Sequence, residues 1–168
     1  MHPQLTPESA DAWMYLYDYL VALPAWKCRL VKSGKTLCML IVHNVAGRRL
    51  AADEMPETLM VERRFPIAQL PQFVTLEDAS ASVLYMQPAT PVDQPGYDAF
   101  IEYLTTRDRV GLGVDRDRRI FYVPPCDYAS QNLSYSGRGL LGLVQPPARV
   151  SMDFLHHPHE AAPPSYQL

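Results

Sequence analysis

The sequence has few of the features that mark secreted, membrane-spanning or nucleic-acid-binding proteins. It contains three cysteines, an odd number and too few for a disulfide framework, which favours a reducing compartment. No stretch approaches the ~18 consecutive apolar residues that a transmembrane helix needs. The first residues carry no basic region leading into an apolar run, so no secretory signal is expected. Acidic residues (18) outnumber basic ones (15), so wholesale attraction to nucleic acid is not expected either. We therefore expect a soluble intracellular protein.

The balance of residue types is that of an ordinary globular domain. The 168 residues are 48% hydrophobic and 20% charged, which is enough to bury one core. The composition changes after Gln145, where prolines and histidines break every periodic pattern. We predict three parts: an N-terminal extension with a helix start at 1–11, a folded domain at 12–145, and a mobile Pro/His-rich tail at 146–168.

Apolar periodicity predicts a mixture of helices and short strands. Thr6 and Pro7 are typical of a helix start, and apolar residues continue at helical spacing up to Leu23. Further helices are predicted at 66–74 and at about 97–107. Strands are predicted at 26–31, 36–45, 82–87, 110–114, 120–123 and 140–144, with shorter apolar runs at 48–51 and 58–61. About seven strands, three helices and no repeated βαβ unit indicate an α+β fold, a mainly antiparallel barrel or sandwich.

Three patterns could carry catalysis, metal binding or phosphate binding, and each has an ordinary structural explanation. Cys126 could act as a nucleophile with a histidine base, but most histidines fall in the predicted tail. The tail histidines and Glu160 lack the scaffold and paired cysteines of a zinc site. The glycines at 111 and 113 precede no helix start and no lysine–serine pair, so they form no phosphate loop. We predict no catalytic residue, no metal and no cofactor.

Basic residues form a more informative pattern in the first half of the domain. They are Lys27, Arg29, Lys32, Lys35, Arg48, Arg49, Arg63 and Arg64. In a small barrel the first strands and the segment before the helix at 66–74 could share one face. An arginine beside a lysine and a tyrosine suits a phosphate, because it gives bidentate hydrogen bonds while the lysine adds a point charge. The ordinary alternative is a solvated charged surface.

Several segments resemble the SPOC domain of the Spen (split ends) family. The motifs FIEYL at 100–104, VGLGV at 110–114 and FYVPPCDY at 121–128 follow the family's order: a helix with a central tyrosine, a glycine-containing strand, and an apolar strand ending in a "PPCEF" motif. YLVALPAW at 19–26 is similar to the family's first helix running into a tryptophan-led strand. RFPIAQL at 64–70 is similar to its arginine-led short helix.

The resemblance implies a fold, a function and a set of site residues. The family fold is a distorted seven-stranded β-barrel framed by helices. Its members are non-catalytic nuclear modules that bind serine-phosphorylated peptides of corepressors or of the RNA polymerase II C-terminal tail. Carried over by position, the phosphopeptide-binding residues are Lys32, Arg64 and Tyr103, with Arg63 in a weaker role. Where many members have a second arginine, this chain has Glu62.

Two classes of function stay open beside this one. The same fold could serve as a phosphorylation-independent scaffold in a nuclear complex, and Glu62 favours that alternative. An RNA-binding domain is disfavoured by the net charge of −3 and by the lack of interleaved exposed aromatic and basic residues on one strand pair. We therefore expect a monomeric interaction domain in transcription or RNA processing, within a larger nuclear complex, that recognises a phosphorylated or acidic peptide and contacts neither nucleic acid nor membrane directly.

Overall fold

Eight strands form one continuous sheet that curls into a nearly closed barrel. The computed structural model describes residues 24–146, and every element below belongs to that part of the chain. The strands are β1 (Ala25–Lys32), β2 (Lys35–Gly47), β3 (Thr58–Val61), β4 (Arg63–Pro66), β5 (Ser82–Pro88), β6 (Arg109–Asp115), β7 (Arg118–Val123) and β8 (Leu140–Gln145). The α-helices are α1 (Leu70–Phe73), α2 (Gln94–Thr106) and α3 (Asp127–Asn132). Short 3₁₀ turns lie at Ala52–Glu54, Ile67–Gln69 and Pro91–Asp93.

The order of the strands brings the two ends of the sheet together. The order is β3-β1-β2-β5-β8-β7-β6-β4, and every pair is antiparallel except β1 with β3. The terminal strands β3 and β4 are consecutive in the chain, joined by Glu62, whose N–H donates to the carbonyl of Leu112 on β6. At the same seam the Tyr122 hydroxyl donates to the carbonyl of Met60 at 3.1 Å. A Cβ on Gly113 would lie 1.9 Å from that carbonyl oxygen, so the close approach of β3 to β6 requires glycine.

Two apolar clusters cover the two faces of the sheet. Along β7, Ile120 and Tyr122 belong to one cluster, which we call the inner cluster, and Phe121 and Val123 belong to the other, which we call the outer cluster. Alternation of side chains along a strand accounts for this division. Helix α2 packs on the inner cluster with Tyr97, Phe100 and Leu104. Residues of α1 and α3 contribute to the outer cluster, chiefly Leu70, Tyr128 and Ala129.

The predicted fold class is confirmed, with one strand more than predicted. Strand β4 (Arg63–Pro66) is the addition, and α3 (Asp127–Asn132) is a helix that the sequence analysis did not predict. Of the two shorter apolar runs, 58–61 is β3 and 48–51 is not a strand. The Leu50 N–H donates to the side-chain oxygen of Asn44 at 2.7 Å, so a side chain takes the place of a ladder partner there.

Two helix predictions are confirmed with shifted boundaries. The helix predicted at 66–74 is a 3₁₀ turn followed by α1. The helix predicted at about 97–107 begins earlier, at Gln94, and follows directly on the 3₁₀ turn Pro91–Asp93, at whose start Thr90 and Asp93 form a capping box. The predicted first helix, the N-terminal extension and nearly all of the predicted tail lie outside the described residues.

Candidate functional site

A concave pocket opens beside the aromatic ring of Tyr103, where α2 ends next to the tip of the first hairpin and the β3–β4 junction. Its volume is about 210 Å³. We call it the Tyr103 pocket. It is lined by Lys32, Ser33, Val61, Glu62, Arg63, Arg64, Tyr103 and Leu104. The predicted site residues Lys32, Arg64, Tyr103 and Arg63 all lie in this lining, although they come from three separate segments of the chain.

Three cationic groups lie over the single ring of Tyr103. The Lys32 Nζ is 4.5 Å from the ring centroid, the Arg107 Cζ is also 4.5 Å away, and the Arg64 Cζ is 5.1 Å away. All three distances fall within the range of cation–π interactions. The ring therefore gathers positive charge at one point on the surface. Arg107 is a member of this cluster of cations that the sequence analysis missed, although it does not line the pocket itself.

The first hairpin places Lys32 at the edge of the pocket. Lys32 ends β1 and pairs with Lys35 across a two-residue turn. Ser33 and Gly34 in that turn have φ angles of +53° and +77°, as the tight turns of two-residue hairpins require. Lys32 also lies beside Val61 in the parallel pairing of β1 with β3, so its position is fixed from both sides.

Strand β4 supplies the two arginines. Arg64 is half-buried opposite Gly111 of β6, and the following residue, Phe65, is buried in the outer cluster. Because side chains alternate along a strand, the burial of Phe65 sends Arg64 to the other side, towards Tyr103. Arg63 is exposed and also lines the pocket.

The C-terminal end of α2 supplies Tyr103 and Arg107. Phe100 and Leu104 anchor the helix in the core, and Tyr103 lies half-buried at the margin of that buried face. Arg107 follows Tyr103 by one helical turn, the spacing at which side chains on a helix are neighbours. The Arg107 guanidinium donates to the Tyr103 carbonyl at 3.4 Å, at the end of the helix where a cation is favourable.

The three stacked cations have no carboxylate partner among residues 24–146. The ion pairs in that part of the chain involve other arginines, Arg48 and Arg118. One acid does line the pocket: Glu62, whose carboxylate accepts a hydrogen bond from the Val114 N–H at 3.3 Å. Planar guanidinium groups and an ammonium around a phenol can bind an oxyanion by charge-assisted hydrogen bonds. The arrangement is therefore suited to a compact anion.

Other basic residues of the first half do not line this pocket. Arg48 forms a bidentate ion pair with Glu54, the shorter contact being 2.8 Å. The Arg49 guanidinium donates to the Asn44 carbonyl at 2.5 Å. Both arginines thus stabilise the chain after β2. Lys27, Arg29 and Lys35 are exposed on the first hairpin.

Cys126 and the candidate metal ligands can be compared with the requirements of a nucleophile and of a metal site in the described part of the chain. Cys126 is half-buried before α3, and burial raises the pKa of its thiol, the opposite of what a nucleophile needs. No three histidine, cysteine or acidic side chains within residues 24–146 lie close enough to hold a metal. The histidines of the predicted tail are outside that range. No helix in the same range has the length and apolar character to cross a membrane.

Comparisons with known proteins identify the family. The family model of the SPOC domain matches residues 20–149. Fourteen chains of solved structures match, among them the crystal structure of the SPOC domain of human PHD-finger protein 3 (PHF3). That domain is 19% identical in sequence and superimposes with a TM-score of 0.60, covering 71% of this chain and 93% of its own. No curated protein matches the chain by sequence. SPOC domains are protein-interaction modules. The chain belongs to the SPOC domain family.

Proposed function

We propose that this SPOC domain binds serine-phosphorylated peptides and that the Tyr103 pocket holds the phosphate. The observation that carries the proposal is the gathering of three cations on one tyrosine ring, none with a carboxylate partner among the described residues. A phosphoserine carries about −1.5 to −2 charges and three acceptor oxygens. It matches the pocket in both charge and hydrogen-bonding capacity.

Each residue has a distinct part in this proposal. Arg64 offers the phosphate two parallel N–H donors, and Arg107 offers a second guanidinium from the end of α2. Lys32 adds a point charge, and the Tyr103 hydroxyl donates to one phosphate oxygen. Arg63 contributes to the positive potential at the mouth of the pocket. The flanking residues of the peptide lie extended across the barrel surface.

We further propose a nuclear setting in transcription regulation or RNA processing. SPOC domains occur in nuclear regulatory proteins, which supports this setting. The resemblance to Spen proteins supports a Spen-type domain over residues 12–145, with the remaining residues as an extension and a tail. Its ligand is a phosphorylated segment of the RNA polymerase II C-terminal tail or of a corepressor-like protein. The domain acts as a monomeric subunit of a larger complex and does not contact nucleic acid itself.

A second candidate function follows from Glu62. This carboxylate lines the pocket at the point where many Spen proteins carry an arginine. A negative charge there weakens the attraction for a dianion, which favours a phosphorylation-independent partner bound by the same surface. The two candidates differ in one measurable property, the dependence of binding on the phosphate.

Fluorescence anisotropy with matched peptides tests the proposal. The peptides are the polymerase heptad repeat and a corepressor tail, each unmodified and serine-phosphorylated, with an oligo-RNA as a further control. We expect binding to a phosphorylated peptide alone. We expect Arg64→Ala or Arg107→Ala to weaken it about tenfold or more, because charge-assisted hydrogen bonds contribute about 1.5–3 kcal/mol each. Tyr103→Phe removes a single neutral donor and should weaken it less.

Arg29→Ala is the matched control, since it removes an exposed arginine of β1 outside the pocket. It should bind the phosphopeptide as the wild type does. Thermal unfolding of each variant separates a lost contact from a lost fold. Equal binding of phosphorylated and unmodified peptides would support the phosphorylation-independent alternative. Unchanged phosphopeptide binding in both Arg64→Ala and Arg107→Ala would locate the site elsewhere.

A further inference from the structure

Glu62 gives the Tyr103 pocket a second, oppositely charged side. We propose that Glu62, together with Met60 and Val114, forms a subsite for a lysine or arginine side chain of the bound peptide, next to the phosphoserine. The inference rests on the proposed function and specifies its ligand. The domain would recognise a phosphoserine with a cationic residue near it in sequence, rather than a run of phosphates or acids.

The backbone of β6 holds Glu62 at the seam of the barrel. The Glu62 N–H donates to the Leu112 carbonyl at 2.9 Å, and its Oε2 accepts from the Val114 N–H at 3.3 Å. A carboxylate has about four lone-pair sites, so one N–H donor leaves most of its accepting capacity open. Within residues 24–146, Glu62 takes part in no ion pair. Its charge therefore lies at the seam and is available to a ligand.

The surroundings of Glu62 favour a long cationic side chain. Met60 precedes it by two residues and is 40% exposed, and Val114, which donates to its carboxylate, is 45% exposed. Large hydrophobic side chains with this much exposure are few in the described part of the chain. The aliphatic stem of lysine or arginine can cover such apolar surface while its charged end reaches a carboxylate. A histidine or an N-terminal amine lacks that stem.

The same carboxylate disfavours a second negative group on the peptide. Like charges brought together at a binding surface reduce affinity, and such repulsion is a common source of specificity. The stacked cations lie on one side of the pocket and Glu62 on another. A bound peptide must therefore place its negative group at the cations and its positive group at Glu62. Glu62 would thus determine specificity beside a phosphate site that other residues form.

Charge scanning of the peptide tests this subsite. A peptide with one phosphoserine and uncharged flanks is compared with versions that carry a single lysine, or a single glutamate, at each flanking position in turn. We expect lysine to tighten binding about two- to fivefold at positions on one side of the phosphoserine, the range of exposed ion pairs. Glutamate at the same positions should weaken binding. Glu62→Gln should abolish both effects, and Glu62→Arg should reverse their sign.

Glu57→Gln is the matched control, because it removes the charge of an exposed glutamate that does not line the pocket. It should retain the lysine preference in full. The subsite is overturned if no position discriminates lysine from glutamate, or if the preference persists in Glu62→Gln. In both cases the peptide with uncharged flanks still binds, so the phosphate proposal survives. If that peptide and its lysine versions all fail to bind, both proposals are wrong.

Discussion

Tyr97 and Tyr103 lie on the same helix and illustrate two uses of one side chain. Tyr97 is 5% exposed, and its hydroxyl donates to the Met86 carbonyl at 2.5 Å and accepts from the Leu140 N–H at 2.8 Å. Met86 and Leu140 are partners at the end of the β5–β8 ladder, so the hydroxyl completes that ladder. Tyr103 presents its ring to the pocket. Its hydroxyl makes no hydrogen bond in the described part of the structure.

We expect Tyr97→Phe to lower the free energy of unfolding by about 1–3 kcal/mol, because it leaves a buried N–H and a buried carbonyl without a partner. Tyr103→Phe, which removes the same atom, should change the free energy of unfolding by less than about 0.5 kcal/mol. Urea denaturation of both variants measures the difference. Equal losses in the two variants would contradict the assignment of Tyr97 as structural and Tyr103 as available to a ligand.

At the residue scale, most members of the cluster around the Tyr103 ring could be predicted from the sequence. Lys32, Arg64 and Tyr103 were predicted through the resemblance, and the structure brings them together. Arg107 was missed, although its spacing of four residues from Tyr103 on a predicted helix was a usable signal. What the sequence could not supply was the three-dimensional meeting of the segments, since that depends on how β1, β4 and α2 pack.

Helix α2 is the element that carries both Tyr103 and Arg107, and it lies very close to the sheet. A Cβ on Gly96 would be 2.1 Å from the carbonyl oxygen of Leu37 on β2. The contact is with backbone, which cannot move aside as a flexible side chain can. The closeness of the helix to β2 therefore depends on the absence of a side chain at position 96.

We expect Gly96→Ala to destabilise the domain by about 1–3 kcal/mol, as overpacking does elsewhere, and to weaken phosphopeptide binding as well. The displaced helix carries the Tyr103 ring away from its cations. Ala99→Ser, a change at an exposed position of the same helix, is the control and should leave both properties unaltered. Thermal unfolding and anisotropy report the two effects. A Gly96→Ala protein with wild-type binding would show that the pocket does not depend on this packing.

At the element scale, periodicity identified the long elements and failed for the short ones. The helix at 97–107 and the hairpin of β6 and β7 were predicted because their apolar spacing extends over several residues. Strand β4 has four residues, two of them charged and one a proline, which is too short a pattern to indicate a strand. The run at 48–51 is as short and also carries two arginines, and it is not a strand, because the side chain of Asn44 bonds its backbone.

For the molecule as a whole, the turn at Ala52–Glu54 fastens the chain after β2 to the hairpin of β6 and β7. The Glu54 carboxylate accepts from Arg48 and, at 2.6 Å, from the Ala51 N–H, and the Glu54 carbonyl accepts from Arg118. The Arg116 guanidinium donates to the Asp53 carbonyl at 3.0 Å. Hydrogen bonds from Arg48, then from Ala51, lower the pKa of Glu54 from 4.5 to about 2, with the charge of Arg118 as a smaller cause.

This pKa predicts an acid-sensitive contribution to stability. Because the folded state holds the carboxylate ionised, the contribution is complete above pH 4.5 and is lost as the pH falls towards about 2. We expect Glu54→Gln to be less stable than the wild type at neutral pH, and the two free energies of unfolding to converge in acid. Urea denaturation across this pH range tests it. Glu57→Gln, at an exposed glutamate, should follow the wild-type curve; a constant gap for Glu54→Gln would contradict the prediction.

The overall architecture was predictable, and the closure of the barrel was not. An α+β fold, either a barrel or a sandwich, followed from the number and spacing of apolar runs. The resemblance to the SPOC domain implied the barrel, and the structure confirms it. Closure depends on individual contacts at the seam. Gly113 lies close to the Met60 carbonyl, and the Tyr122 hydroxyl donates a hydrogen bond to the same oxygen. Neither contact leaves a periodic trace in the sequence, because each joins residues far apart in the chain.

The Tyr103 pocket draws its walls from the end of β1, the β3–β4 junction and the end of α2, which the unfolded chain does not hold together. A ligand of this pocket therefore binds the folded state and not the unfolded one. By mass action, free ligand at a hundredfold excess over its Kd would raise the free energy of unfolding by about 2.7 kcal/mol. The domain would therefore resist unfolding better inside its complex than alone. The rise in its melting temperature would rank unlabelled candidate peptides by affinity.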